Sequence, residues 1–175
     1  MKILAFAASN SKNSINHQLA KYTANLHQDA TVEILYIDDY ELPIFSTSRE
    51  EQLGQPALAK QFFNKIGNAD ALIISFAEHN GSYAAAYKNL FDWVSRIDHK
   101  VFQDKPTILL STSPGPGGAS SVLASATQSA PFFAADVKAS ISVPSFFDNF
   151  NVEDGLITNS EISTELKQAV QRLVG

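Results

Sequence analysis

Apolar residues gather along this chain into short unbroken runs, separated by longer stretches in which they recur every three or four positions. The runs are Lys2–Ala8, Ala71–Ala77, Lys105–Thr112 and Val137–Val143, and Thr31–Ile37 alternates before it too closes in apolar residues. A run without alternation reads as a strand buried on both faces, the kind a parallel sheet needs. The intervening stretches read as helices. Ser14–His27 carries Ile15, Leu19, Tyr22, Ala24 and Leu26, and Pro56–Gly67 carries Ala57, Leu58, Phe62, Phe63 and Ile66, with Pro56 suited to a first turn and Gly67 to a C-cap. Tyr83–Ile97 holds Tyr87, Leu90, Phe91 and Val94 as one stripe, another helix begins near Ala119, and Ser160–Val174 closes the chain with Asn159 or Ser160 as its cap. Trp93 stands off the stripe of its helix, and an exposed large aromatic there predicts an interface. Asp38–Gln55 leaves the sheet as an irregular excursion.

Five strands alternating with helices predict an α/β fold: a doubly wound parallel sheet in the order 2-1-3-4-5, with helices on both faces in three layers. No linker or repeat divides residues 1–175, so a single domain is expected.

Composition narrows the function classes. Thirteen Lys and Arg against eighteen Asp and Glu leave a net charge of −5 without a basic cluster, which argues against nucleic acid as a partner. The chain has no cysteine, excluding disulfides and thiol chemistry. Ile3–Ala8 is too short for a signal-peptide core and no apolar run has bilayer length, so a cytoplasmic protein without a membrane partner is expected. The four histidines are widely spaced, predict no metal site, and His17, His27 and His99 are expected at the surface.

Three loops carry the candidate chemistry. Ser9-Asn10-Ser11-Lys12-Asn13-Ser14 opens a helix whose first N–H groups lack intrahelical partners, a setting that suits either a plain cap or a phosphate. Glu78-His79-Asn80-Gly81-Ser82-Tyr83 follows the third strand as a strand-to-helix turn; Gly81 permits a positive φ or a close ligand approach, and Ser82 is placed to cap the next helix. Ser113-Pro114-Gly115-Pro116-Gly117-Gly118 is a turn of low bulk with exposed N–H groups and a flexible-looking wall. Parallel strands bring all three to the sheet's carboxyl edge, where ligands bind. A phosphate at one end and a flat polar ring at the other would fit, which is the outline of FMN.

Glu78-His79-Asn80-Gly81-Ser82, followed by Lys88-Asn89 and Asp92-Trp93, resembles the signature of the NADPH-dependent FMN reductases, a flavodoxin-like group that includes quinone, chromate and azo-dye reductases. Ser113-Pro114-Gly115 with Gly117-Gly118 is similar to that family's third flavin loop, and Ala8-Ser9 through Ser14 and Asn16 to its phosphate loop. The resemblance implies that Ser9, Ser11, Ser14, Ile15 and Asn16 hold the flavin phosphate. It implies that Glu78, His79, Asn80, Gly81 and Ser82 line the ribityl chain and ring, that amides near Asn80–Ser82 meet the ring's N5 and O4 edge, and that Ser113, Gly115 and Gly118 close the other side. His79 stands where the family often has an aromatic, so stacking or packing is its expected role. The implied activity passes electrons from NADPH or NADH through FMN to a quinone, a free flavin or a similar small acceptor, with no catalytic side chain because the flavin carries the chemistry. The alternative is an FMN-binding electron carrier or scaffold without pyridine nucleotide reductase activity. A homodimer or homotetramer paired through the Trp93 helix is also implied. Three positions depart from the pattern: Ala8 replaces a glycine, Ser11 an arginine and Ala77 a proline. The lost guanidinium fork predicts weaker phosphate binding.

Overall fold

The structure, a computed structural model, describes residues 1–174. Strands β1 (Lys2–Ala8), β2 (Thr31–Leu35), β3 (Ala71–Phe76), β4 (Lys105–Thr112) and β5 (Ala135–Val143) pair in parallel in the order β2-β1-β3-β4-β5. This is the flavodoxin-like order expected. β1 and β4 end where their apolar runs end. β2 stops two residues short of Ile37, which instead opens a single tight turn of 3₁₀ helix over Ile37–Tyr40.

The helices are α1 (Ile15–Ala24), α2 (Thr47–Leu53), α3 (Ala57–Gly67), α4 (Ala85–Val94), α5 (Ser120–Ser129), the single turn α6 (Phe146–Asn149) and α7 (Ser160–Gln171). Alternation along the strands divides the core in two. Leu4, Phe6, Leu72, Ile74 and Phe76 pack under α3, α4 and α5, while Ile3, Ala5, Ile73, Ile108 and Leu110 pack under α1 and α7. All six residues of β3 are buried, as a central strand covered on both faces must be. Leu72, Ile73, Ile74 and Phe76 each contribute about 1.5–3 kcal/mol through burial.

Two expectations fail here. The excursion after β2 is not irregular throughout. It contains α2, capped by Ser46, whose hydroxyl accepts from the Arg49 N–H; the helix buries no residue, so no apolar period announced it. Trp93 is not exposed. It is fully buried, its Nε1 donates to the Pro43 carbonyl at 2.7 Å, and Phe45 meets it edge-on at 5.1 Å. Neighbouring Asn89 completes the clamp, donating to the Leu42 and Pro43 carbonyls and accepting from the Phe45 N–H at 2.8 Å. The excursion therefore covers the second face of α4, and Trp93 offers no ground for an interface between copies.

Candidate active site

The carboxyl ends of four strands finish in one row: Ala8 lies beside Phe76, Phe76 beside Ser111, and Ser111 beside Ser142. The loops after β1, β3, β4 and β5 thus leave from the same edge, with β1 and β3 flanking the point where the chain reverses its direction of travel across the sheet.

In the first loop, Ser9 and Ser14 are buried and Ser11 is exposed. The Ser9 hydroxyl accepts from the Ser11 N–H at 3.2 Å, the Ser11 carbonyl accepts from the Ser14 N–H at 3.2 Å, and the Ser14 hydroxyl caps α1 by accepting from the His17 N–H at 3.3 Å. The N–H groups of Ile15 and Asn16 have no acceptor among the described residues, so two donors and the positive end of the helix dipole stand open at this edge. The Asn16 side chain turns the other way. Its Oδ1 accepts from the Ser75 hydroxyl at 2.8 Å and the Thr112 N–H at 3.0 Å, and its Nδ2 donates to the Thr112 carbonyl at 3.1 Å. Asn16 thereby fixes the start of α1 over the ends of β3 and β4, and only its backbone is available to a phosphate.

The second loop is a hairpin rather than a simple turn into a helix. Glu78 pairs with Tyr83 and His79 with Ser82, around Asn80 (φ 53°) and Gly81 (φ 76°), the two left-handed residues of a type I′ turn. Ser82 lies in this ribbon and does not cap α4, whose N-cap is Ala84. The N–H groups of Asn80 and Gly81 have no acceptor among the described residues, so the tip presents two donors. Residues directly opposite in an antiparallel pair share a face. Tyr83 packs inward on Phe76 and Tyr87, and the Glu78 carboxylate reaches the Val122 N–H at 2.8 Å, capping α5 from outside where Ala119 offers no side-chain cap. His79 is exposed, opposite Ser82 in the ribbon.

The third loop is held more tightly than its glycines suggested. Ser113 donates its hydroxyl to the Gly115 carbonyl at 3.1 Å, and Gly115 also accepts from Gly118 at 3.3 Å. Gly118 (φ 57°) is buried, and a Cβ there would lie 2.3 Å from Ser142 Oγ, so packing within the chain already requires glycine. A fourth loop, which the motif reading missed, braces the third: the Ser145 and Phe146 N–H groups donate to the Gly115 and Ser113 carbonyls at 2.9 and 3.0 Å, and Asn149 secures the brace through the Pro144 carbonyl at 2.9 Å. Its signal was topological, since a loop after the fifth strand must reach the same edge.

The model of the family described as NADPH-dependent FMN reductase matches residues 1–148. The chain belongs to that family. An Arabidopsis thaliana protein named NADPH:quinone oxidoreductase is 32% identical over 120 residues, which cover 67% of this chain and 61% of that protein. A Burkholderia sp. 2-hydroxy-1,4-benzoquinone reductase is 32% identical over 116 residues, 66% of this chain and 62% of that protein. The chain therefore spans about three fifths of the length of these relatives. Among solved structures, the flavoenzyme NAD(P)H:(acceptor) oxidoreductase FerB of Paracoccus denitrificans superposes with a TM-score of 0.78 at 24% identity, covering 99% of this chain and 94% of that one. That likeness shows the shared fold.

Against the family pattern the three departures have distinct settings. Ala8 and Ala77 are buried within or beside the sheet, where small apolar residues fit without rearrangement. Ser11 and the adjacent Lys12 are exposed, so the first loop of this FMN reductase family member carries no buried cation. His17, expected at the surface, is half-buried and stacks on Tyr36 at 4.2 Å with its Nε2 buried and unpartnered among the described residues. Burial first, then the Lys21 charge, pull its pKa below the ordinary histidine value against a smaller opposing effect of Asp38. His27 is likewise half-buried. No cluster of three His, Asp or Glu residues suited to a metal occurs among the described residues, and none of their helices is long and apolar enough to cross a membrane.

Proposed function

We propose that this protein is an NAD(P)H-dependent, FMN-containing oxidoreductase that passes electrons from NADPH or NADH to a quinone, a free flavin or a similar small acceptor. The observation that carries the reading is the convergence of unpaired backbone donors, Ile15 and Asn16 on one loop and Asn80 and Gly81 on another, at the switch point of a chain of the FMN reductase family. The donor set fits the group: amides at a helix N-terminus suit a phosphate, and amides at a tight turn without side-chain bulk suit the edge of a planar ring.

In this reading Ser9, Ser11 and Ser14, with the Ile15 and Asn16 amides, hold the phosphate. Glu78 to Ser82 line the ribityl chain and ring through the hairpin backbone, while Glu78 keeps that hairpin against α5. Ser113, Gly115 and Gly118 form the opposite wall, immobilised by Ser145 and Phe146. FMN, when bound, supplies the two-electron chemistry between pyridine nucleotide and acceptor. The chain's share is orientation: rigid donors fixed beforehand lose little entropy on binding.

The test is the absorption spectrum of the protein mixed with FMN, recorded before and after NADPH or NADH and followed by a quinone. A shifted flavin band, bleaching by the nucleotide and steady nucleotide oxidation with the quinone are expected. Binding without bleaching by either nucleotide would make the protein an electron carrier, and no binding at all would leave a scaffold.

A further inference from the structure

The layer of α1 and α7, on the sheet face opposite α3, α4 and α5, carries a small outgrowth after β5. The single turn α6 runs into a hairpin in which Phe150 pairs with Ile157 and Asn151 with Leu156. Opposite residues share a face and successive ones alternate, so so small a hairpin can bury only one of its two pairs. Phe150 and Ile157 take the inner face, where Phe150 stacks on the buried Phe146 at 4.6 Å and meets Tyr22 of α1 edge-on at 6.0 Å. Leu156 is thereby turned outward, 54% exposed, with Val152 at 48% in the turn and Phe147 at 61% on α6. Three of the nine large apolar side chains exposed among the described residues thus fall between positions 147 and 156, whereas single scattered ones would need no explanation.

The surface between them is continuous. One open groove of about 420 Å³ runs between α1 and the hairpin over Tyr22, Leu26, Phe150, Val152 and Leu156, and a second, of about 400 Å³, continues past Val152 to Phe147. The shape is set in advance. Asn151 Oδ1 accepts from the Glu153 and Asp154 N–H groups at 2.9 and 3.3 Å, and Gly155 donates to the Asn151 carbonyl at 2.9 Å, so the turn needs little ordering on contact.

Charge selects the occupant. Asp148 and Glu153 line the second groove, Asp154 follows in the turn, and none of the three enters an ion pair among the described residues. No Lys or Arg occurs between Lys138 and Lys167, and the one cation lining either groove is Lys21 on the α1 wall. A nucleic acid or an anionic membrane would be repelled here. A second copy in two-fold contact would set like carboxylates against one another. An apolar strip rimmed by free carboxylates is instead complementary to an amphipathic segment with aliphatic side chains on one face and lysines or arginines beside them.

We propose that the surface of α6 and this hairpin docks a protein partner through a basic amphipathic segment of that partner. Docking here does not depend on the flavin reading.

Fluorescence anisotropy of a labelled helical peptide of leucine and lysine, titrated with the whole protein, tests this, with oligolysine and a leucine–glutamate peptide of the same pattern as controls. Saturable one-to-one binding of the leucine–lysine peptide is expected, weakening as salt is added, and neither control should saturate in the same range. Val152→Ser with Leu156→Ser should weaken it at least tenfold. Asp148→Asn with Glu153→Gln and Asp154→Asn, which keep shape and remove charge, should weaken it about tenfold and flatten the salt dependence. All five positions are exposed, so the urea midpoint of each variant should match that of the parent. Equal binding of oligolysine or of the leucine–glutamate peptide would reduce the contact to charge or adhesion alone and overturn the proposal. So would binding that neither variant weakens, which places the peptide elsewhere, or a folded protein that does not bind it. Self-association in sedimentation that Val152→Ser with Leu156→Ser abolishes would give the surface to a second copy instead.

Discussion

The loops after β1 and β3 face each other across the switch point and are built on opposite plans. The first is anchored from below by a single buried side chain, Asn16, and leaves the Ile15 and Asn16 amides unpaired among the described residues, with Ser11 alone of its three serines exposed. The second is anchored through a two-residue ribbon, a type I′ turn and a carboxylate lent to α5. A dipole with open amides suits a ligand's charge, whatever its exact orientation. A planar ring needs a fixed edge, and a hairpin supplies one. Position of anchoring thus separates the two: damage to the first loop should appear in the stability of the whole sheet, and damage to the second in the fit of the ring.

The largest expected effect tests the anchor of the first loop. Asn16→Ala leaves the Ser75 hydroxyl and both backbone groups of Thr112 without a partner, and should cost the apo protein about 3 kcal/mol in urea unfolding. A loss of FMN affinity with unchanged apo stability would break the comparison and make Asn16 a ligand group. Next comes Gly81→Val. A Cβ at Gly81 has nothing within 4 Å, so any cost to the apo protein comes from the left-handed backbone, about 1–2 kcal/mol. FMN affinity measured by fluorescence should drop at least tenfold, about 1.4 kcal/mol, and an unchanged titration would remove the hairpin from the site.

Ser11→Arg sharpens the electrostatic half of the contrast. An arginine fork on this exposed loop should tighten FMN several-fold, about 1 kcal/mol after solvent screening, and shift the ratio of kcat/KM values toward NADPH over NADH. If neither moves, Lys12 already supplies the charge. The smallest effect is one of pH. Because the His17 pKa is lowered in the folded state, the unfolded chain binds the proton more readily. Its contribution to stability is complete above the ordinary histidine value near 6.5 and is lost as pH falls from there through the lower folded value. Tm should decline from pH 7.5 to 5.5 more steeply than in His17→Phe, which keeps the ring contact with Tyr36 and cannot titrate; parallel curves would exclude His17.

Much of the fold was legible because burial on both faces leaves an unmistakable mark: β1 and β4 have the very ends their apolar runs predict. What escaped has a physical reason in each case. α2 buries nothing, so only its Ser46 cap and Glu50 in the first turn could have signalled it. The hairpin has two-residue strands, too short for any period to show, although Asn80-Gly81 is the dipeptide that a type I′ turn favours. Trp93 looked unsheltered because the stripe that meets the sheet includes Tyr87, Leu90 and Val94, and no periodicity tells that a loop 50 residues earlier covers the remaining side. In the candidate site the loops were readable as motifs. The division of labour within them was not, since Asn16 and Gly118 owe their identities to partners on other strands.

The clamp on Leu42–Phe45 gives the chain an optical consequence. Its sole tryptophan is the residue that holds the loop, so emission from Trp93 reports whether the excursion is seated. A long connection between strands is normally a protease's first target, but cleavage near Ile44 requires this latch to open. Proteolysis at that bond and a red shift of the emission should therefore follow a single rate in mild denaturant, making one side chain a native gauge of local unfolding.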